Sequence, residues 1–429
     1  MKIKVNMNTL RIVLLIALLL YSLSQQSWGG LISGSVMWRI LFIGCVIFGI
    51  TTLYKFIRTP YLYTFLCVVL MAVVLLFNNQ NLANGSNGYE LVFSEIILFT
   101  ATAYKEDYWI KSTIKVMLVL GVLYAVITLL SFASKDFYDT TIYPFIASIN
   151  DTTYMGLSTY YSNGFTAHYS FNGMYIAMGV CIAMGVLIPG GHNKNVRNKG
   201  FKVAFVVLMV VALLLTNKRA HILFTGAGAF LAYYIYNSNK PAKRITKIVA
   251  LLLGILLAAY FLNYFMPNAF GFLQRFEESA SGEGGITNGR YIVWGIASMF
   301  VGNNTVFGKG WFSFYHYYGA HVHNVYLQLF VETGVIGLSL FIVFFLNAYV
   351  KNILLLKESR RGFIYLPENA EKHLVISLIY QTFFLLYGIT GTCLYEVPTL
   401  VPYILFTAMT EHYWYIRKHI RNLERLDQI

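Results

Sequence analysis

The sequence predicts an all-α, polytopic membrane helix bundle, and composition, apolar runs and loop charge each support that fold class. Of the 429 residues, 57% are hydrophobic and only 12% are charged, whereas soluble domains carry roughly 25% charged residues. Apolar runs of about 17 to 25 residues recur along the chain, and each is long enough to cross a hydrocarbon core of roughly 30 Å as a helix. By that criterion we expect about twelve transmembrane helices, forming one integral membrane domain over residues 1–429.

The basic residues indicate the topology. A formal net charge of +14 could serve a nucleic-acid-binding surface. Most of the 32 lysines and arginines instead lie on alternate connections between apolar runs. This is the positive-inside pattern of a multi-pass protein of the cytoplasmic (inner) membrane with both termini cytoplasmic. We therefore expect membrane lipids and no nucleic acid as partners. The cations that this pattern leaves unexplained are Arg39, Lys135, Lys218, Arg219, Arg275, Arg290 and Lys309.

The cysteines predict neither a disulfide framework nor a metal site. Cys45, Cys67, Cys181 and Cys393 are scattered, and the first three lie inside apolar runs. The first apolar run follows a basic start and ends at residues 25–28, which form a poor cleavage site. We therefore expect a retained first helix rather than a signal peptide.

The apolar runs place the helices along the chain. Helix four contains Glu95, which would be costly against lipid, so we expect this carboxylate to be hydrogen-bonded inside the bundle. Helix ten begins near His321 or His323 and continues to about Val350. Helix six is expected to follow His168. Helices one to five are expected near 10–28, 36–54, 60–77, 89–104 and 112–133, helices seven to nine near 201–216, 221–236 and 245–265, and helices eleven and twelve near 373–391 and 399–416.

Two polar stretches are predicted to lie outside the cell membrane. Residues 134–170 are rich in Tyr, Thr, Ser and Asn, a composition found both in carbohydrate-binding surfaces and in ordinary loops. Residues 266–322 form a loop of a length that is usually functional. Helical spacing over 291–301 predicts a short amphipathic helix along the membrane surface, with Arg290 at its start.

Cations at the outer face are candidates for binding an anion. Lys218 and Arg219 lie in the outer turn before helix eight, against the positive-inside trend. Snorkelling toward lipid headgroups is the alternative, and we expect it of Lys218. Arg219 and Arg290 present planar, permanently charged donors that suit phosphate oxygens.

An imidazole near the start of helix ten is a candidate base. His323 follows the polar loop directly, and an imidazole can accept a proton near neutral pH. A histidine that only caps the helix or bonds within the bundle is the alternative, and His321 and His316 are substitutes for the same role. Glu332, further along helix ten, is expected to be a buried packing carboxylate rather than a base.

These residues together resemble the O-antigen ligase and polymerase family of membrane glycosyltransferases. The resemblance covers the helix count and the large outer loop as well as the motifs. This chain has Lys218-Arg219-Ala220 where family members often have Ser-Arg-Gly. The motifs are Arg219 before helix eight, Arg290 followed by Trp294, Gly308-Lys309-Gly310, and His323-Asn324-Val325-Tyr326-Leu327 running into Glu332-Thr333-Gly334-Val335-Ile336-Gly337.

The resemblance implies a reaction and a set of site residues. The donor would be an oligosaccharide on a polyprenyl diphosphate such as undecaprenyl diphosphate, and the acceptor a glycan or a lipid-linked glycan. No metal and no cofactor is expected. The implied catalytic residues are His323, Arg290 and Arg219, and the implied substrate-binding residues are Lys218, Asn324, Lys309, His321, Trp294 and Tyr326.

The leading hypothesis is a polymerase that joins repeat units of a surface polysaccharide, such as O-antigen or capsule, on the extracytoplasmic face. A ligase that transfers the glycan to lipid A core or another acceptor would share the same residues. A lipid-linked-oligosaccharide flippase is the alternative from another class. Such transporters commonly show internal repeats and polar groups at mid-membrane depth, whereas the unusual cations here gather at one face.

Overall fold

The computed structural model describes residues 107–149, 160–189, 196–239 and 290–426, together with isolated positions among the first 70 residues. Every regular element in these ranges is helical, and no strand occurs within them. The predicted all-α class is therefore confirmed over this part of the chain. Predicted helices one to four and nine, Glu95, and residues 266–289 of the large loop lie outside the described residues.

Seven of the predicted helices have counterparts in the structure. Predicted helices five to eight correspond to α1, α4, α5 and α6, predicted helices ten to twelve correspond to α9, α10 and α11, and the predicted amphipathic helix corresponds to α7. The helices are α1 (Tyr108–Ala133), α2 (Lys135–Phe137), α3 (Tyr143–Ile149), α4 (Tyr169–Leu187), α5 (Val196–Leu215), α6 (Arg219–Tyr236), α7 (Arg290–Val301), α8 (Ser313–Tyr318), α9 (Val325–Arg360), α10 (Ala370–Thr390) and α11 (Val397–Leu426), with a π-helical turn at Tyr138–Ile142 and a 3-10 turn at Tyr160–Asn163.

Four described helices are long and apolar enough to cross a membrane. They are α1 from Trp109, α4, α9 and α10. On α1, large apolar side chains recur along one side and are exposed, as expected for a face in contact with lipid. These side chains are Val119, Leu123, Val126 and Leu130. The total of about twelve spans stays a prediction.

The chain forms two compact units. Unit 1 comprises Met1–Val116, Arg290–Asn352 and Phe384–Ile429, and unit 2 comprises Met117–Gly289 and Ile353–Phe383. The expectation of a single membrane domain over the whole chain stays a prediction.

Glycines allow the helices of unit 2 to pack with their backbones close together. A Cβ atom on Gly121 of α1 would lie 2.6 Å from the Cα atom of Gly179 in α4. A Cβ atom on Gly228 of α6 would lie 2.5 Å from the carbonyl oxygen of Ile379 in α10. Neither contact could accommodate a side chain, and small residues are the usual means of such close packing in membranes. The contact at Gly228 fixes the position of α6, the helix that begins at Arg219.

In unit 1, a small apolar core joins α7, α8 and the start of α9. Its buried members are Ala297 and Val301 from α7, Phe314 from α8, Val331 from α9, and Val322 from the segment between α8 and α9. This core explains why residues 290–301 are amphipathic, because the helix buries one side in it. It also ties the segment before α9 to the folded loop.

Candidate active site

Helix α9 is interrupted at Gly334, whose φ of 68° and ψ of −169° are not helical. The backbone of residues 304–310 lies against the interruption and forms hydrogen bonds to the helix on both sides of it. The amides of Lys309 and Gly310 donate hydrogen bonds of 2.9 and 2.8 Å to the carbonyl oxygens of Val331 and Glu332. The break leaves the carbonyl groups of Val331 and Glu332 without their helical partners, and the loop amides replace those partners. Buried backbone groups require such hydrogen bonds.

The second half of α9 is capped by the same loop. The amides of Val335 and Ile336 donate hydrogen bonds of 2.9 and 3.3 Å to the carbonyl oxygens of Thr305 and Val306. The first amides of a helix segment commonly bind anions when they have no other partner. Because the loop already accepts from these two amides, they are not available to bind a phosphate.

Two glycines make the contact between loop and helix. A Cβ atom on Gly308 would overlap the backbone of Glu332, and one on Gly334 would overlap the carbonyl group of Val306. Both glycines also have positive φ, at 73° and 68°, which other residues adopt at a cost. The Gly-Lys-Gly turn and the glycine motif of α9 are therefore two halves of one structural contact.

His323 lies at the N-terminal end of α9. It is exposed and has a φ of 56°, a left-handed conformation that is uncommon for residues other than glycine. Asn324 follows it and caps α9, since its side-chain oxygen accepts a hydrogen bond of 3.0 Å from the amide of Leu327. The predicted substrate-binding residue Asn324 therefore has a structural role as a helix cap.

Val322, the residue before His323, is hydrogen-bonded through both its backbone amide and its backbone carbonyl group. The amide of Val322 donates to the side-chain oxygen of Gln328 at 3.2 Å, and the carbonyl oxygen of Val322 accepts from the indole N–H of Trp294 at 3.1 Å. Two side chains from different helices thus fix the backbone that presents His323. Trp294, predicted as substrate-binding, uses its N–H for this contact.

His321 belongs to a chain of hydrogen-bonded polar groups whose middle members, Gln328 and Glu332, are buried. Its Nδ1 atom lies 3.0 Å from Nε2 of Gln328, and the same amide donates to Glu332 at 3.0 Å. The hydroxyl of Tyr395 donates to the other carboxylate oxygen of Glu332 at 2.9 Å. Burial lowers the pKa of His321. Glu332 is fully buried, as the sequence predicts for a packing carboxylate.

Arg290 begins α7 and contacts the end of another helix. Its Nη1 atom donates a hydrogen bond of 2.7 Å to the carbonyl oxygen of Thr390, the last residue of α10. This contact uses one of the five N–H donors of a guanidinium group. The side chain is half-buried, so the contact fixes its position without consuming its capacity to bind an anion.

Lys309, Tyr326 and His316 have different surroundings. The Nζ atom of Lys309 lies 5.8 Å from the ring centre of Phe300. The hydroxyl of Tyr326 donates to the carbonyl oxygen of Leu385 at 2.7 Å, so it serves helix packing. His316 is exposed on α8.

Lys218 and Arg219 lie in unit 2, at the start of α6. Asn217 has a φ of 55° and makes the turn, and Ala220 is already helical. A glycine is therefore not needed at position 220, which accounts for the departure from the Ser-Arg-Gly pattern. Lys218 lies with its Nζ atom 5.4 Å from the ring centre of Tyr169, and Arg219 is half-buried at the first position of the helix.

Polar side chains of unit 2 hold the turn before α6. Asn217 donates to the hydroxyl of Ser162 at 3.3 Å, and that hydroxyl donates to the carbonyl oxygen of Leu215 at 2.9 Å. Asn172 donates to the hydroxyl of Thr128 and to the carbonyl oxygen of Ser162, both at 2.8 Å. The polar segment that ends at residue 170 therefore supports the turn that carries Arg219.

His168 caps α4 beside this turn. Its Nδ1 atom accepts a hydrogen bond of 3.1 Å from the amide of Ser170, and its ring stacks on Tyr169 with the ring centres 4.3 Å apart. Burial, and then the positive charge of Lys218, lower the pKa of His168 to about 4. The ring is consequently neutral at neutral pH.

The predicted site residues thus divide between the two units. Unit 1 contains Arg290, Trp294, Lys309, His321, His323, Asn324 and Tyr326, and unit 2 contains Lys218 and Arg219. Gln328 and Tyr395, which support His321, belong to no motif recognised in the sequence. A signal for Gln328 did exist, because a glutamine within an apolar run must find a hydrogen-bond partner in the bundle.

Comparison with known proteins agrees with these features. Residues 204–342 match the model of a family described as O-antigen ligase, an enzyme family of ligase-type glycosyltransferases. The helical fold and this match support a membrane protein with a glycan-processing function. The resemblance to the O-antigen ligase and polymerase family is therefore confirmed. The matched segment contains Arg219, Arg290, His323 and Gly334. No curated protein matches the chain.

Proposed function

We propose that this protein is a membrane glycosyltransferase that joins polyprenyl-diphosphate-linked oligosaccharide units, acting as a repeat-unit polymerase of a surface polysaccharide. The observation that carries the proposal is the presentation of His323. It is exposed at the start of α9, in a backbone conformation held through Val322 by Gln328 and Trp294. An exposed imidazole on a backbone that is held in place is suited to align and deprotonate an acceptor hydroxyl.

The proposed reaction is a displacement at the anomeric carbon of the donor. The acceptor hydroxyl oxygen forms a bond to that carbon while the bond from the carbon to the diphosphate oxygen breaks. The hydroxyl proton passes to His323, and the electron pair of the broken bond leaves with the diphosphate. The products are a lengthened glycan and a polyprenyl diphosphate.

Arg219 and Arg290 are proposed to bind the diphosphate as it leaves. Guanidinium groups form charge-assisted, bidentate hydrogen bonds to phosphate oxygens and stay protonated throughout. Such fixed positive groups stabilise the charge that develops on a leaving group. We propose that the two arginines provide this stabilisation without a metal ion.

The proposed orientation places this chemistry on the extracytoplasmic face, with both chain termini in the cytoplasm. It is supported by the excess of lysine and arginine on alternate connections. A cysteine introduced at Ser281, in a variant without the native cysteines, should react with an impermeant reagent in whole cells. Labelling only after the cells are broken would contradict the orientation.

A ligase is the second candidate, and the description of the matching family favours it. A ligase would transfer the glycan to lipid A core or another acceptor rather than to a second repeat unit. Deletion of the gene distinguishes the two. Loss of a polymerase leaves single repeats attached to the acceptor, whereas loss of a ligase leaves no repeats attached.

Reconstitution tests the enzyme proposal itself. The purified protein in vesicles would be given a defined oligosaccharide on polyprenyl diphosphate as both donor and acceptor. A polymerase should release polyprenyl diphosphate and produce glycans of increasing length. Movement of the lipid-linked sugar across the vesicle membrane without joining of sugars would overturn the proposal in favour of a flippase.

A further inference from the structure

The side-chain amide of Gln328 has a defined orientation. Its oxygen accepts a hydrogen bond from the amide of Val322, and a backbone N–H can only donate. The oxygen must therefore face Val322, and the NH₂ group must face the opposite direction. That group lies 3.0 Å from the carboxylate of Glu332 and 3.0 Å from Nδ1 of His321.

This orientation determines the tautomer of His321. An NH₂ group has two hydrogens and no acceptor, so Nδ1 of His321 must accept one of them. A neutral imidazole with an accepting Nδ1 atom carries its proton on Nε2. Glu332 accepts the other hydrogen of Gln328, and because Tyr395 donates to the second oxygen of Glu332, the carboxylate is held in place.

The opposite edge of the His321 ring points away from Gln328. The ring is half-buried, and its centre lies 4.9 Å from the ring of Tyr315, which is 41% exposed. In the described part of the chain, no protein acceptor is found for Nε2. A donor N–H beside the face of a tyrosine is a common arrangement for binding sugars, because the hydroxyls need hydrogen bonds and the C–H groups need an apolar surface.

We propose that Gln328 and Glu332 are positioning residues that hold His321 as an Nε2–H donor to a glycan oxygen, next to the ring of Tyr315. The inference rests on the proposed function and deepens it. His321 binds the sugar, while His323 accepts the proton of the acceptor hydroxyl. The two histidines therefore have different roles, and His321 does not substitute for His323.

The Gln328→Glu variant tests the positioning directly. The new carboxylate keeps an oxygen for the amide of Val322 but presents a second oxygen, in place of a donor, to His321 and Glu332. Two facing carboxylates repel, which favours one proton shared between them. With no N–H donor left opposite it, Nδ1 of His321 should then carry the proton of the neutral ring and donate to the new oxygen. Ring nitrogen and carbon chemical shifts of His321, assigned by their loss in His321→Gln, should report Nε2–H in the native protein and a proton on Nδ1 in the variant.

The spectroscopic measurement requires no substrate, so it can fail independently of the proposed function. A native ring protonated on Nδ1, or a ring unchanged in Gln328→Glu, would overturn the inference. If Gln328→Glu does not reach the membrane, Gln328→Met, which has no amide donor, should show a mixture of the two tautomers. If His321 in Gln328→Met were found only as the Nε2–H tautomer, the inference would also be overturned.

Transfer kinetics provide the second measurement. Loss of the His321 hydrogen bond to substrate corresponds to a loss in rate of about 2- to 12-fold, so Gln328→Glu should lower kcat by about that factor with the KM for the donor unchanged. The matched control is Gln381→Glu, because Gln381 is also a buried helical glutamine and donates to Ser377 in its own helix. Equal losses of kcat in both variants would show a general effect of a buried charge and would overturn the role of Gln328.

Discussion

The amide of Gly310 donates a hydrogen bond of 2.8 Å to the carbonyl oxygen of Glu332, and this contact joins the large loop to the interrupted helix α9. Glu332 is therefore held twice, through its backbone by the loop and through its carboxylate by Gln328 and Tyr395. The motif around Gly308 and the motif around Gly334 are separated in sequence but form one structure. Changes in either should affect the part of the chain that presents His323.

Gly308→Ala should destabilise unit 1 and lower transfer. Alanine at a φ of 73° is strained by about 1 to 3 kcal/mol, and its Cβ atom would also overlap the backbone of Glu332. Gly319→Ala is the matched control, because Gly319 has a φ of 78° but no atom within 4 Å of the place where a Cβ atom would lie. Thermal unfolding in detergent should show a larger loss for Gly308→Ala, and equal losses would contradict the docking contact.

Arg219→Ala and Arg290→Ala should each remove most transfer while the protein still reaches the membrane. A hydrogen bond to a charged group contributes roughly 1.5 to 3 kcal/mol, which corresponds to a loss of about 10 to 150-fold if it is made in the transition state. Lysine should restore only part of the activity, because a point charge does not reproduce the guanidinium geometry. Donor turnover by the reconstituted protein is the measurement.

Arg360→Ala is a matched control for Arg290→Ala. Like Arg290, Arg360 donates to a carbonyl oxygen at the last residue of a helix, in this case Tyr236 of α6 at 3.0 Å. Both substitutions remove that kind of contact, so both should lower thermal stability. Only Arg290→Ala should lose transfer. Full activity of Arg290→Ala with normal donor affinity would exclude a role in binding the diphosphate.

His323→Asn should lower transfer about 10²- to 10⁴-fold, the usual contribution of a general base, and leave donor binding intact. Asparagine tolerates the left-handed backbone of this position, so the variant tests the imidazole rather than the turn. Native activity should fall at acid pH, since a protonated imidazole cannot accept a proton. The arginines keep their charge there, so donor binding should persist.

His321→Ala distinguishes the two histidines. Loss of one hydrogen bond to substrate should cost about 0.5 to 1.5 kcal/mol, a smaller effect than the loss of a base at position 323. Rates of both variants measured with the same donor provide the comparison. If His321→Ala were inactive while His323→Asn was fully active, the roles proposed for the two histidines would have to be exchanged.

His168 should make the protein sensitive to acid. Its pKa is lowered to about 4 in the folded state by burial and by Lys218, whereas an unfolded chain titrates near 6.5. The unfolded state therefore takes up the proton first, and stability that is present above about pH 6.5 is lost as the pH falls toward 4. His168→Asn keeps a cap for the amide of Ser170 and should reduce this loss. Thermal unfolding midpoints at neutral and acid pH provide the measurement, and an equal loss in the native protein and in His168→Asn would contradict this prediction.

Periodicity and length are sufficient to predict the described long helices. The apolar run predicts α1 from residue 112, and the helix begins at Tyr108; the helical spacing predicts α7 from 291, and it begins at Arg290. These elements follow from local sequence, because a run of apolar residues long enough to span lipid must satisfy its backbone as a helix. The burial of the Glu332 carboxylate is also predictable from the sequence. A carboxylate in an apolar run is costly to place against lipid, so it is expected to face the bundle and find hydrogen-bond partners there.

The sequence by itself determined the all-α class of the described residues, the presence of helices long and apolar enough to span a membrane, and the family resemblance, because each depends on local composition or on short motifs. Only the tertiary structure decided that α9 is interrupted at Gly334, that Gln328 and Tyr395 support His321, and that Trp294 holds the residue before His323. Those features depend on hydrogen bonds that form only when the loop and the helices are folded against one another. No local pattern encodes such a pairing, because each partner is chosen by the folded arrangement of the helices.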